Sequence, residues 1–133
     1  MHEVSYRVYY EDTDSGGVVY YANYLKFAER ARTELLRSLN INQSELSKND
    51  GIFFVVRKVQ MDLLKAARLD DILDIKTTIV QISGASITMQ QNIFINGNNI
   101  NNIDVKIACV NDKILPTKLP DELKRKFMEV KTN

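Results

Sequence analysis

The sequence has very few of the residues on which most enzyme chemistry depends. Its 133 residues include no Trp, two Pro, five Gly, one Cys and one His, which is His2. A single His near the chain end, where we expect fraying, argues against Ser-His-Asp triads, Cys-His pairs and His-based metal sites. The five glycines form neither GxGxxG nor GxxxxGK[ST], the loops that hold phosphates in common nucleotide-binding folds. We therefore expect no metal site, and any chemistry must use carboxylates, hydroxyls, amides and the backbone.

Other absences set the expected environment of the chain. Cys109 is the only cysteine, so no internal disulfide can form, and its alternation with apolar residues predicts a small buried hydrophobe. No charged-then-apolar leader opens the sequence, and together these features favour a cytoplasmic protein. The longest apolar runs, such as residues 52–56, are too short to cross a membrane. The 18 Lys and Arg against 17 Asp and Glu give a net charge of +1, which predicts no bulk attraction to nucleic acid.

Hydrophobic periodicity predicts one strand, one long helix and four further strands. Period-2 alternation predicts the first strand over 4–11, with Val4, Tyr6, Val8 and Tyr10 on one face. Apolar residues at three- and four-residue steps predict the helix over 22–39. The four later strands are predicted over residues 52–62, 72–83, 86–95 and 100–110.

Turn residues predict how these elements connect. Residues 83–85 and 96–99 each predict a reversal, so the last three strands form an antiparallel meander. The polar connection 41–51 holds one helical turn near 44–46, and Asp121 is expected to cap a short final helix that extends to Met128. We expect one domain over 1–133, of the α+β class, with an antiparallel sheet of about five strands wrapped around one long central helix. Its exposed edge strands favour dimerisation by sheet extension.

Residues 10–24 place carboxylates, glycines and phenols directly before the predicted helix. The N–H groups at a helix start lack intrahelical partners, and the helix dipole adds partial positive charge, so an oxyanion or a polarised carbonyl is stabilised there. A carboxylate aimed at such a carbonyl forms an acyl-transfer site that needs no histidine. The alternative is a simple turn in which Asp14 bonds its own backbone.

The motif over residues 11–32, EDTDxxGxVYYxxYLxxxERAR, resembles the hotdog-fold acyl-CoA thioesterases of the 4-hydroxybenzoyl-CoA thioesterase class. Within that class it is most similar to the branch associated with the bacterial Tol-Pal system. Residues 64–71 also resemble the segment that joins two strands in this family, and the predicted element order is the hotdog order. The resemblance implies an acyl-CoA thioesterase that works as a homodimer or homotetramer with its site at the subunit interface. It implies no separate cofactor, because coenzyme A is part of the substrate.

Carried onto this sequence, the family pattern makes Asp14 the catalytic carboxylate, as nucleophile or as general base. The backbone at Tyr21 would polarise the thioester carbonyl, Gly17 would let the substrate approach closely, and Val18 beside it would contact the substrate. Glu29 is a second catalytic candidate, because other hotdog enzymes use a helix carboxylate. Its alternative explanation is a surface ion pair with Arg32.

The sequence departs from the family pattern at two positions. The Tol-Pal branch commonly has His where Tyr21 stands, whereas hydroxybenzoyl-type enzymes have Tyr, so both aliphatic and aromatic acyl groups stay open. The turn at 83–86 lacks the basic residue that family members often use to hold the nucleotide of coenzyme A. Lys118, Arg68 and Lys65 are the remaining candidates for phosphate contact.

Two other functions compete with hydrolysis. Hotdog dehydratases rely on an active-site His, and this chain has only His2. A scaffold that binds acyl-CoA or an acyl carrier protein without turnover is the alternative from a different class. The near-neutral charge offers no broad basic surface for docking a carrier protein.

Overall fold

The computed structural model describes residues 1–131, in which five strands form one sheet. The strands are β1 (His2–Arg7), β2 (Phe53–Leu63), β3 (Ile72–Ile82), β4 (Ser86–Ile95) and β5 (Asn98–Val110). Their order is β1-β3-β4-β5-β2, and every neighbouring pair is antiparallel. The predicted five-stranded antiparallel sheet is confirmed, and β1 and β2 are its two edges.

The first strand is the one whose prediction differs most from the structure. It was predicted over 4–11, but β1 runs over His2–Arg7, so the expected fraying at His2 is also wrong. Past the strand, the Tyr9 N–H donates to the Asp12 carboxylate at 2.8 Å, and residues 10–12 form a 3-10 turn. Tyr10 is consequently 81% exposed instead of facing inward with the apolar side of the strand.

The hairpin between β4 and β5 turns on two residues. Asn96 and Gly97 have φ angles of +49° and +80°, which suit the right-handed twist of a two-residue hairpin turn. The predicted turn at 96–99 is therefore too long, because Asn98 and Asn99 already belong to β5. The reversal between β3 and β4 lies at 83–85 as predicted.

The long helix α1 runs over Asn23–Ser38, within one residue of its prediction at each end. The connection after it holds α2 (Gln43–Glu45) and then a π-helical turn over Leu46–Asp50, so it is more helical than expected. The final helix α3 spans Asp121–Val130. Its N-cap is Pro120, so Asp121 is the first helical residue and not the cap that the sequence predicted.

Two buried clusters fill the space between the helices and the sheet. The first half of α1 packs with β1 and with the start of β3, in a cluster that includes Tyr24, Phe27 and Leu73. The second half of α1 shares the other cluster with α3, whose Phe127 ring meets the Phe54 ring edge-on at 6.4 Å. The prediction of one central helix was incomplete, because α3 covers part of the same core. Across residues 1–131, no helix combines the length and apolar character that a membrane crossing requires.

Candidate active site

A short hairpin over residues 12–20 connects β1 to the start of α1. Thr13 and Val19 form an antiparallel bridge, and the Tyr20 N–H donates to the Asp12 carbonyl at 3.1 Å. The Asn23 side chain donates to the same carbonyl at 2.9 Å. The hairpin is therefore tied to the first residue of α1.

Asp14 lies in the turn of this hairpin with its side chain in solvent. Its N–H donates to the Val18 carbonyl at 2.9 Å, and its own carbonyl accepts the Gly17 N–H at 3.1 Å. The carboxylate Oδ1 accepts the Gly16 N–H at 2.8 Å. Within the described part of the chain, Oδ2 accepts no hydrogen bond. One oxygen thus orients the carboxylate, and the other is available for chemistry.

The two glycines of the turn have different roles. Gly17 has a φ of +79°, a left-handed conformation that side chains rarely adopt. Nothing lies within 4 Å of where its Cβ would be, so the turn is open on that side. A Cβ on Gly16 would lie 3.2 Å from the Asp14 Oδ1, so the bare backbone there allows the carboxylate to fold back.

The start of α1 is left without a side-chain cap. Ala22 occupies the N-cap position, and the first turn carries no acidic residue. The N–H groups of Asn23, Tyr24 and Leu25 each bond a carbonyl three residues earlier. In residues 1–131, the N–H groups of Tyr21 and Ala22 find no acceptor, so the positive end of the helix dipole is free to bind an oxyanion.

Residues 67–68, which lie just before β3, bond to the hairpin and hold it against the start of α1. The Val19 N–H donates to the Ala67 carbonyl at 2.8 Å, and Val18 bridges Arg68. The Ala67 N–H in turn donates to the Tyr24 hydroxyl at 2.9 Å. Tyr24 is fully buried, and burial raises the pKa of its phenol. Tyr24 is thus a packing residue that positions the hairpin.

The structure brings some predicted site residues together and separates others. Gly17, Val18 and Arg68 adjoin the Asp14 turn, and Tyr21 follows it, with its ring exposed against that of Tyr20 at 4.9 Å. Interaction with the Tyr21 hydroxyl raises the pKa of the Tyr20 phenol.

Lys118 lies far from this group in the same chain. The neighbouring Leu119 N–H donates to the Gly84 carbonyl at 2.9 Å, which places Lys118 beside the turn that lacks a cation. That turn follows the end of β3, whereas Arg68 precedes its start. A straight strand of 11 residues spans about 33 Å, so one protomer does not bring Lys118 to Asp14.

Comparison with known proteins identifies the family. Residues 16–100 match the family model described as the thioesterase superfamily. The chain belongs to the thioesterase superfamily. It is 45% identical over 126 residues to the acyl-CoA thioesterase YbgC of Haemophilus influenzae, covering 94% of this chain and 93% of the relative. It is 44% identical over 126 residues to the acyl-CoA thioester hydrolase YbgC of Escherichia coli O157:H7, covering 92% of each.

Solved structures agree with this assignment. A probable thioesterase from Bartonella henselae is 39% identical and superposes with a TM-score of 0.86, covering 90% of this chain and 98% of that one. A 1,4-dihydroxy-2-naphthoyl-CoA thioesterase from Synechocystis has a TM-score of 0.90 at 19% identity, covering 97% and 96%, and so supports the fold alone. The hotdog fold implied by the resemblance is confirmed.

Sequence reasoning missed one polar contact in this thioesterase. The predicted pair of Glu29 with Arg32 is not formed, because Arg32 turns inward and donates to the Gln91 Oε1 at 2.9 Å. Glu29 itself is exposed on α1, two turns from the helix start. The sequence did contain a signal: Gln91 is polar but stands between Met89 and Ile93 on the apolar face of β4.

The remaining chemical candidates lie outside the Asp14 region of the thioesterase. Cys109 is buried as predicted, and burial raises the pKa of its thiol. His2 pairs with Thr77 in β1, at the end of that strand remote from the hairpin. Over the described range 1–131, no group of three His, Cys, Asp or Glu side chains could hold a metal ion.

Proposed function

We propose that this thioesterase hydrolyses acyl-CoA to a free acid and coenzyme A, with Asp14 as the catalytic carboxylate. The N–H groups of Tyr21 and Ala22 bind the thioester oxygen as negative charge develops on it. The observation that carries the proposal is the hairpin that joins an oriented, solvent-exposed Asp14 to an uncapped helix start. The named activity of the two YbgC relatives supports the choice of substrate.

Two routes are open to the Asp14 carboxylate. As nucleophile, its oxygen attacks the thioester carbon and expels the thiolate of coenzyme A, and water then hydrolyses the mixed anhydride. As general base, it takes a proton from water while that water attacks the thioester carbon, and the thiolate leaves in the same way. An acyl adduct on Asp14, detected by mass spectrometry after rapid quenching, would assign the nucleophilic route.

We propose that two copies pair through β2. This edge strand exposes apolar side chains along its length, with Val56 at 50%, Val59 at 43% and Leu63 at 45% exposure. By contrast, the exposed side chains of β1, the other edge, are Glu3, Ser5 and Arg7, none of which is apolar. A two-fold axis would pair the two β2 strands antiparallel and continue the sheet across both copies.

This pairing would also complete the substrate site. The Leu63 end of β2 adjoins the Asp14 hairpin through residues 64–68, whereas the Phe53 end pairs with Val110, near Lys118. Antiparallel pairing therefore sets the Asp14 turn of one copy opposite the Phe53 end of the other. We infer that Arg68 of one copy and Lys118 of the second contact the phosphates of coenzyme A.

The cellular setting follows from the resemblance of residues 11–32 to the Tol-Pal branch. We propose that the thioesterase works in the cytoplasm alongside that envelope system. We propose an acyl carrier protein as a second acyl donor. The association is tested by purifying a tagged chain from the cells that naturally produce it and looking for Tol-Pal components. Their absence from the purified material would contradict the association.

Thiol release from a panel of acyl-CoA thioesters tests the activity itself. Purified protein would be assayed with short-chain, long-chain and aromatic acyl groups, and equilibrium binding of coenzyme A would be measured in parallel. We expect turnover of at least one acyl class. Binding without turnover of any thioester would overturn hydrolysis and support the non-catalytic scaffold.

A further inference from the structure

A cavity of about 230 Å³ lies between α1, α3 and the Phe53 end of β2. Eight of its twelve lining residues are apolar, among them Leu36, Phe54, Met89 and Phe127. Glu29 and Arg32 bring charged groups to the same cavity from successive turns of α1. A cavity that joins apolar walls to a few polar groups is the usual form of a small-molecule site.

A buried hydrogen-bond network fixes Arg32 in this cavity. The Gln91 side chain is fully buried, and its amide donates to the Ala28 carbonyl at 2.9 Å and to the Thr77 hydroxyl at 3.1 Å. These two bonds orient the amide so that its oxygen accepts the Arg32 guanidinium at 2.9 Å. The buried Gln91 side chain, bonded to the α1 backbone and to a β3 hydroxyl, therefore holds the guanidinium in place.

Within residues 1–131, the Arg32 guanidinium forms no direct ion pair, although the Glu29 carboxylate one turn earlier on α1 acts on it through space. Among the described residues, no carboxylate lies within 4.0 Å of Arg32, since Glu29 stays exposed at the cavity rim. Burial lowers the pKa of Arg32, whereas Glu29 acts to raise it, and a guanidinium keeps its proton near neutral pH. Its fork has five N–H donors, of which Gln91 occupies one. A partly buried, unpaired cation with free donors matches a carboxylate in both charge and shape.

In the proposed dimer, the cavity of one copy lies next to the Asp14 carboxylate of the other copy. Antiparallel β2 pairing sets the Asp14 turn of one copy opposite Phe54, Val55 and Val56 of the other, and these three residues line the cavity. If each non-hydrogen atom takes about 30 Å³, the volume of one water molecule in the liquid, the cavity holds roughly eight such atoms. That is the size of a short acyl group with a polar terminus.

We propose that Arg32 makes this thioesterase selective for acyl-CoA substrates whose short acyl chain ends in a carboxylate. The inference rests on the proposed function, because the acyl group must reach the cavity from Asp14 of the second copy. In the bound state, the terminal carboxylate accepts the free N–H donors of Arg32 and neutralises its charge. The apolar walls cover the methylene groups between the two ends.

Two thioesters with six-carbon acyl groups test the proposal. Adipyl-CoA and hexanoyl-CoA differ at the far end of the chain, where one has a carboxylate and the other a methyl group. We expect wild-type kcat/KM to favour adipyl-CoA by about tenfold or more, the scale of a hydrogen-bonded charge pair. Arg32→Met, which removes the guanidinium but keeps an unbranched apolar stem, should lower this ratio about tenfold.

Arg30→Met is the matched control. Arg30 lies on the same helix but is exposed, with its guanidinium 5.5 Å from the Phe27 ring centre, outside the cavity. Its substitution should leave the adipyl to hexanoyl ratio unchanged. Urea unfolding of both variants checks that they fold.

The outcomes separate this proposal from the one on which it rests. Hydrolysis of both thioesters without preference for adipyl-CoA would overturn the role of Arg32 and leave hydrolysis standing. A preference that survives in Arg32→Met would do the same. Inactivity towards every acyl-CoA would overturn the proposed function and this inference together. The wild-type ratio decides the first point even if Arg32→Met does not fold.

Discussion

Removing the hydroxyl of Tyr24 tests whether this buried residue positions the Asp14 hairpin. In Tyr24→Phe the ring keeps its shape, so the packing of the fully buried side chain is retained. The Ala67 N–H, however, loses the acceptor that it bonds at 2.9 Å. A buried donor left without a partner costs about 1–3 kcal/mol. Because the Ala67 carbonyl holds the Val19 N–H, the hairpin would also lose part of its support.

Urea denaturation measures the loss. With a slope of about 2 kcal/mol per molar urea, a loss of about 1–3 kcal/mol lowers the midpoint by about 0.5–1.5 M. Variants must be compared at one protomer concentration, because a dimer unfolds at a concentration-dependent midpoint. Tyr10→Phe is the matched control, since Tyr10 is 81% exposed and should shift stability by less than about 0.5 kcal/mol. Equal midpoints for the two variants would refute the reasoning.

Two further predictions concern the strained loop after β5 and the proposed dimer edge. Ile114 is 63% exposed and has a φ of +60°, a left-handed conformation that strains a β-branched residue. Ile114→Asn should therefore raise the free energy of unfolding in urea by about 1 kcal/mol. No gain relative to Leu115→Asn would contradict the strain. Val59→Lys should shift the protein from dimer to monomer in light scattering, whereas Val80→Lys, at a similarly exposed valine on β3, should not. A Val59→Lys protein that stays dimeric would rule out pairing through β2.

Local patterns were sufficient for most of the fold. The three-to-four spacing placed α1 within one residue at each end, because its buried residues, such as Tyr24, Ala28 and Leu35, form one continuous stripe. The β4 boundaries were predicted without error, since turn residues flank the strand. The end of β1 was missed because the Asp12 carboxylate captures the Tyr9 N–H, and a single hydrogen bond of this kind leaves no periodic signal.

The candidate site was predictable only where it is local in sequence. Asp14, Gly17 and Val18 belong to one hairpin, so one motif contains them all. Arg32 was assigned to Glu29 by the three-residue spacing rule, but its partner is Gln91, 59 residues away. Spacing rules identify neighbours on one helix. They do not predict when a side chain bonds instead to a polar group on a sheet packed against that helix. Similarly, the separation of Lys118 from Asp14 became evident only from the path of β3.

The rate of thiol release by Asp14→Asn tests the proposed hydrolysis most directly. The substitution keeps the side-chain oxygen that accepts the Gly16 N–H but removes the charge that attacks or deprotonates. On the best substrate of the panel, we expect kcat to fall by about 100-fold or more, with urea stability unchanged. Asp112→Asn, at an exposed site in the loop after β5, should retain wild-type kcat. An Asp14→Asn protein that hydrolyses the thioester at the wild-type rate would contradict the carboxylate mechanism.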